Sequence, residues 1–254
     1  MTVDPRAASG FSAAVEQYER GRPTYPHDAG TLLVRELELS PASTVLDLGA
    51  GTGKLTRLLL PLAGRVIAVD ASEPMLAMLR EQLPDVDTRV GTADAIPLPD
   101  RSVDAVVVGE AFHWFGTAEA CREIARVLRP GGGLALLWNR AQPADSGPPW
   151  QAALEELSRP YREAAGEFPA EGERWKLALE QTQSFAPLAQ AEVEHVHRMV
   201  PDDLVALVAS WSWIANLPDD ERTGLLAKAH DLVADQSELS RRYRTEIFWT
   251  HTTP

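Results

Sequence analysis

One cysteine and three lysines stand in 254 residues, and no apolar run is long enough to span a bilayer. Each scarcity excludes something. A lone Cys121 rules out an internal disulfide and a cysteine-ligated metal cluster. With Lys54, Lys176 and Lys228 as the only lysines, 24 basic residues face 37 acidic ones, and the formal net charge is −13. That field repels nucleic-acid phosphate and anionic head groups, so neither nucleic acid nor a membrane is an expected partner. The start, Met1 to Arg6, lacks a basic then apolar signal pattern, and a cytoplasmic location is expected. His195 and His197 form a His-x-His pair, but without a third histidine or nearby acid they fall short of a zinc site, and no metal is expected. The length fits one α/β domain with an elaboration, and nothing in the pattern reports the oligomeric state.

What is present centres on Val45-Leu46-Asp47-Leu48-Gly49-Ala50-Gly51-Thr52-Gly53-Lys54-Leu55. An apolar run too short for a helix ends in an acid and three alternating glycines, and Leu55, Leu58 and Leu59 follow at helical spacing. This reads as strand, tight turn, helix: a turn whose glycines let a nucleotide lie against the backbone. A phosphate-binding P-loop fails at Leu48 and Leu55, where it needs a glycine and a hydroxyl. The dinucleotide pattern G-x-G-x-x-G fails at Lys54, its third glycine position. Two more acids follow in order. Asp70 ends the strand Arg65–Asp70 at a distance suited to a ribose clamp, and Asp94 sits in Gly91-Thr92-Ala93-Asp94-Ala95 after a third strand.

The arrangement D-x-G-x-G-x-G resembles the class I S-adenosylmethionine (SAM)-dependent methyltransferases. Tyr18, Arg22-Pro23 and Tyr25-Pro26 resemble the N-terminal segment of small-molecule enzymes related to trans-aconitate methyltransferase, as does the Leu128-Arg129-Pro130-Gly131-Gly132 turn. The resemblance implies SAM as cofactor, with S-adenosylhomocysteine (SAH) as product. It implies cofactor contacts from Asp47, Gly49, Ala50, Gly51 and Gly53; from Asp70, Ala71 and Met75; from Ala93, Asp94 and Ala95, with Asp94 at the adenine; and from Glu110 and Ala111. Arg22 would pair with the SAM carboxylate and Tyr18 or Tyr25 would cover the methionine end; the alternative is an Arg stacked on packing tyrosines.

Along the chain, residues 1–40 read as an N-terminal helical lid, with Phe11, Val15 and Tyr18 on one helical face; 41–140 as the SAM-binding core; 141–187 as a helical cap insertion; and 188–254 as strands and helices completing the sheet. The expected fold is α/β: a Rossmann-like, seven-stranded, mainly parallel sheet with helices on both faces and a reversed last strand. His113, just past the fourth strand, is the candidate general base and, with Trp114, a candidate substrate contact; the alternative is that the two only pack. Arg140 would receive an anionic group of the substrate, or serve as a salt-bridge partner.

The function these residues point to is methyl transfer from SAM to a small molecule through an oxygen or nitrogen nucleophile, a carboxylate among the options. A non-catalytic SAM- or SAH-binding regulatory protein is the alternative. An NAD-linked oxidoreductase is disfavoured by Lys54.

Overall fold

The computed structural model describes residues 15–144, 147–166 and 174–253. Phe11, expected on the first helix, and Phe168 and Pro169 of the insertion lie outside them. Two helices, α1 (Val15–Gly21) and α2 (His27–Glu36), precede the sheet. The parallel part then alternates strand and helix, except that no helix separates β3 from β4: β1 (Thr44–Leu48), α3 (Lys54–Leu59), β2 (Arg65–Asp70), α4 (Glu73–Gln82), β3 (Asp87–Val90), β4 (Val103–Gly109), the short α5 (Phe112–Phe115), α6 (Ala118–Val127) and β5 (Leu128–Ala141). After α7 (Pro149–Ala164) and α8 (Arg174–Thr182) come β6 (Ala189–Met199), α9 (Pro201–Ala209), α10 (Ser212–Ala215), α11 (Asp219–Asp231) and β7 (Leu239–His251).

The strands lie in the order β3-β2-β1-β4-β5-β7-β6, with β7 antiparallel to both neighbours. Reversal of that strand is what lets a chain arriving from β6 close the gap beside β5. β1 and β4 are Val- and Leu-rich and buried on both faces, as parallel central strands must be when helices cover each side. On one face Leu46, Val106, Leu136 and Trp138 pack under α5, α6 and α8; on the other Val45, Val107, Leu137 and Ile247 pack under α2 and α3. β5 starts earlier than the glycine run suggests: Leu128 pairs with Val103, and after an irregularity Gly133 pairs with Ala105.

The insertion's helices do not sit alone. Trp150 and Leu154 of α7 join Leu204, Leu207 and Ile214 in a separate apolar cluster, and Trp175 of α8 packs edge-on to Phe112 and Phe248. The first helix is seated by a glycine. A Cβ on Gly21 would lie 2.1 Å from the Leu207 backbone nitrogen, so α1 and α9 touch backbone to backbone. Arg20 pins the same contact through Asp203 at 2.6 Å. Among the described residues, no helix is long and apolar enough to cross a membrane.

Candidate active site

The turn after β1 is formed by Gly49, Gly51 and Gly53, all at positive φ. A Cβ on Gly49 would meet the Ala111 methyl at 2.7 Å and one on Gly53 would meet Leu79 at 2.9 Å, whereas at Gly51 nothing lies within 4 Å. Two glycines therefore permit close packing, and the middle one presents bare backbone to open space.

The three acids are placed differently. Asp70 sits at the rim of the turn, with one carboxylate oxygen accepting from Gly51 N at 2.8 Å and the other from Ser72 N at 2.7 Å. Burial raises its pKa against the pull of those bonds. Asp47 lies behind the turn, fully buried, where Thr56 Oγ1 donates to Oδ2 at 2.6 Å and Oδ1 has no partner. Burial pushes its carboxyl up to about 7, with the Thr56 bond opposing. Asp94 is exposed beyond β3, and a bond from Thr92 holds its carboxyl below the usual range.

At the carboxyl ends of β1, β4 and β5 lies a cavity of about 180 Å³, the position at which open α/β sheets hold ligands. Of the residues expected from sequence, it brings together Tyr18, Arg22, Tyr25, Gly49, Ala50 and Glu110. Asp47, Gly51, Gly53, Asp70, Ala71, Asp94, Ala95 and Ala111 do not line it, nor do Met75 and Ala93, both buried, Ala93 in the apolar cluster under α5 and α6. Neither α7 nor α8 contributes a lining residue.

The roof of this cavity comes from α1 and the segment after it. Arg22 stacks on Tyr18 at 5.5 Å and is held in place by Ser210, with Nε donating to Oγ at 2.8 Å and a terminal nitrogen donating to the carbonyl at 3.0 Å. Burial pushes the Tyr18 hydroxyl up to about 12 and lifts Tyr25 well above its ordinary value, so both present neutral hydroxyls. The Tyr25 hydroxyl lies where a Cβ on Gly109 would be, 2.3 Å away; only glycine at the end of β4 admits it. Next to it, Glu110 holds a left-handed φ of 55°, and its carboxylate accepts from Asn139 N. Burial raises this carboxyl's pKa, opposed by the Asn139 bond and by Arg22. A non-glycine residue kept in that conformation is a stored local cost of the kind found at functional sites.

Strand alternation decides the remaining candidates. Asn139 and Ala141 face the cavity, while Trp138 and Arg140 face the other side of the sheet. Trp138 Nε1 donates to His113 Nδ1 at 3.1 Å. Since an indole nitrogen can only donate, the ring proton of His113 is on Nε2. Burial, with Arg140 and Arg22 adding, depresses its pKa to about 3. The ring is neutral and its Nδ1 lone pair accepts from the indole, an arrangement that fits the packing role better than a general base. Trp114 lies beside it, ring centroids 4.8 Å apart, and Arg140 pairs with Glu246 at 3.3 Å. None of these three lines the cavity.

Sequence reasoning missed Thr52, Asn139, Leu207, Trp211, Arg241 and Tyr243, all of which line it. Thr52 Oγ1, Asn139 Nδ2 and Arg241 Nε are buried without a partner. Thr52 was findable, standing between two loop glycines. The others carry no local signal, because the fold brings them from β5 and β7, from α9 and from the turn after it.

Residues 46–136 match a family described as a methyltransferase domain. An uncharacterized methyltransferase of Mycobacterium tuberculosis is 39% identical over 241 residues, 94% of this chain and 92% of that protein. Trans-aconitate 2-methyltransferase of Paracidovorax citrulli is 29% identical over 226 residues, 82% of each. Among solved structures, the [4+2]-cyclase SpnF superposes with a TM-score of 0.57 at 17% identity, covering 97% of this chain and 95% of that one. A cyclase on this fold means that architecture alone does not select the reaction.

Proposed function

Since this chain belongs to the class I SAM-dependent methyltransferases, we propose that the acceptor it methylates is a small molecule taken up in the cavity beneath α1. The observation that carries this reading is the enclosure itself: glycine turn below, Tyr18 and Arg22 above, and about 180 Å³ between them. A roofed space of that size admits a small acceptor and offers no open groove for a polymer.

The residues fit the cofactor. Gly51 offers unobstructed backbone, and Thr52 Oγ1 is a buried polar atom awaiting a partner. In this reading Asp70 holds the ribose hydroxyls, Ala71 and Met75 flank the nucleoside, and Asp94 with Ala93 and Ala95 meets the adenine. Gly49, Ala50, Glu110 and Ala111 surround the methionine end, whose carboxylate pairs with Arg22. Asp47 keeps the turn in place through Thr56. When bound, SAM supplies a sulfonium-activated methyl group with a neutral thioether as leaving group. The protein's share is then alignment and exclusion of water, worth about 7–11 kcal/mol in favourable cases. The raised pKa values of Tyr18 and Tyr25 keep both hydroxyls neutral there.

Incubation with methyl-labelled SAM and a size-fractionated cell extract tests the acceptor class. Label is expected in the small-molecule fraction, only with enzyme present. Label in macromolecules would overturn the proposal. Separately, Asp70→Ala is expected to weaken SAH binding by at least about tenfold, the scale of lost charge-assisted hydrogen bonds; a folded variant with unchanged affinity would move the ribose elsewhere.

A further inference from the structure

Four charged residues line the cavity: Arg22, Lys54, Glu110 and Arg241. In a chain of net charge −13, three of four being cationic marks a local reversal of the protein's own field. Two of the three cations are accounted for. Lys54 Nζ donates to the Glu19 carbonyl at 2.6 Å and lies 3.8 Å from its carboxylate. Arg22 is held by Ser210 and assigned above to the cofactor.

Arg241 is different. Among the described residues it forms no ion pair; its guanidinium lies 5.7 Å from the Tyr243 ring, bonds the Tyr243 side chain, and leaves Nε buried without a partner. In β7 and β5, Arg241, Tyr243 and Thr245 share the face of Asn139 and Ala141, since Tyr243 pairs with Ala141 and Thr245 with Asn139. The Asn139 amide is oriented: Thr245 Oγ1 donates to its Oδ1 at 2.6 Å, which leaves Nδ2 as an unused donor. Tyr243 and Trp211 add aromatic walls to the same cavity, Trp211 backed by Trp213 at 4.9 Å. A half-buried guanidinium with no anion, a second unused donor and flat apolar walls lack only a planar anion.

We propose that this end of the cavity is an anchoring subsite for a carboxylate of the acceptor, with Arg241 as its cationic partner, Asn139 Nδ2 as second donor, and Trp211 and Tyr243 flanking a flat body. The inference rests on the acceptor reading above and gives it a substrate class: small, planar organic acids. The guanidinium fork matches the two oxygens of a carboxylate, which a rounded ammonium would not select.

The test is calorimetric titration of the SAH-loaded protein with a panel of benzoate, trans-cinnamate and succinate, beside benzamide, cinnamamide and inorganic phosphate. A flat carboxylate is expected to bind at least about tenfold more tightly than its amide and than phosphate. Arg241→Gln should weaken that carboxylate by about tenfold or more while leaving SAH affinity within about twofold; Arg241→Lys should recover part of the loss. The subsite is overturned if no flat carboxylate binds the SAH-loaded wild type, if folded Arg241→Gln binds it unchanged, or if the amide or phosphate binds equally. Failure of wild type to bind SAH is a distinct result, which removes the cofactor placement itself.

Discussion

The two faces of the β5–β7 ribbon treat polar groups in opposite ways. On one face Arg140 and Arg244 each reach Glu246, Arg244 also reaches Glu192, and the Trp138 indole is satisfied by His113. On the other, one residue along, Asn139 Nδ2 and Arg241 Nε, with Nε2 of His195 and His197 on neighbouring β6, are buried without partners, against Arg244 Nε alone on the first face among the described residues. Each such group costs about 1–3 kcal/mol. A folded chain tolerates several of them together where a ligand completes the set, and on the paired face the same strands leave only Arg244 Nε in that state among the described residues. The difference separates structure from site.

The largest expected effect is on the paired face. Burial lowers the His113 pKa from 6.5 to about 3, so the unfolded chain takes up this proton first. The stability it contributes is present above about pH 6.5 and is lost as pH falls toward 3; by pH 4 the loss is about 3 kcal/mol. Urea unfolding at pH 7 and pH 4 should show a smaller acid loss in His113→Gln, which retains an acceptor for Trp138. Equal losses in the two proteins would mean that His113 titrates normally and could be a base after all.

Next comes the cavity face. Arg241→Gln is expected to lower the unfolding midpoint only slightly, since it loses the Tyr243 contact but no ion pair, while lowering kcat/KM for a carboxylate acceptor by about 30-fold, or about 2 kcal/mol. A variant that loses stability and keeps its kinetics would place Arg241 with Arg140 as a structural residue. Thr245→Val strips the buried donor from Asn139 Oδ1 and should cost about 1–2 kcal/mol in chemical denaturation. Its affinity for a flat carboxylate should also fall, since the Asn139 amide is then free to turn over; unchanged affinity would remove Asn139 from the anchoring subsite.

Smallest is Glu246→Gln. The partners of Glu246 are 39% and 43% exposed at their side chains, so the pairs are screened, and less than about 1 kcal/mol should be lost with SAH binding untouched. A large effect on binding would erase the distinction between the faces.

Much of the parallel half was legible in the sequence because its signals are short-range. The glycine turn, the strand-end acids and the apolar runs of β1, β2 and β4 each declare themselves within a few residues. So did Tyr18, Arg22, Tyr25 and Glu110, once a family resemblance drew attention to them. Asn139 and Arg140 show the limit. They are neighbours in sequence, Arg140 is the more conspicuous side chain, and the cavity is lined by Asn139.

The sequence by itself determined the α/β alternation, the glycine turn and the net negative charge, because these depend on local periodicity, on glycine's freedom at positive φ and on composition. Only the tertiary structure decided which face of β5 meets the cavity, that His113 is tied to Trp138, and that Arg22 leans on Ser210, 188 residues away. Facing follows from register, since a shift of one residue in strand pairing turns every side chain over. Burial depends on what packs above, and neither is written in the residues that feel it.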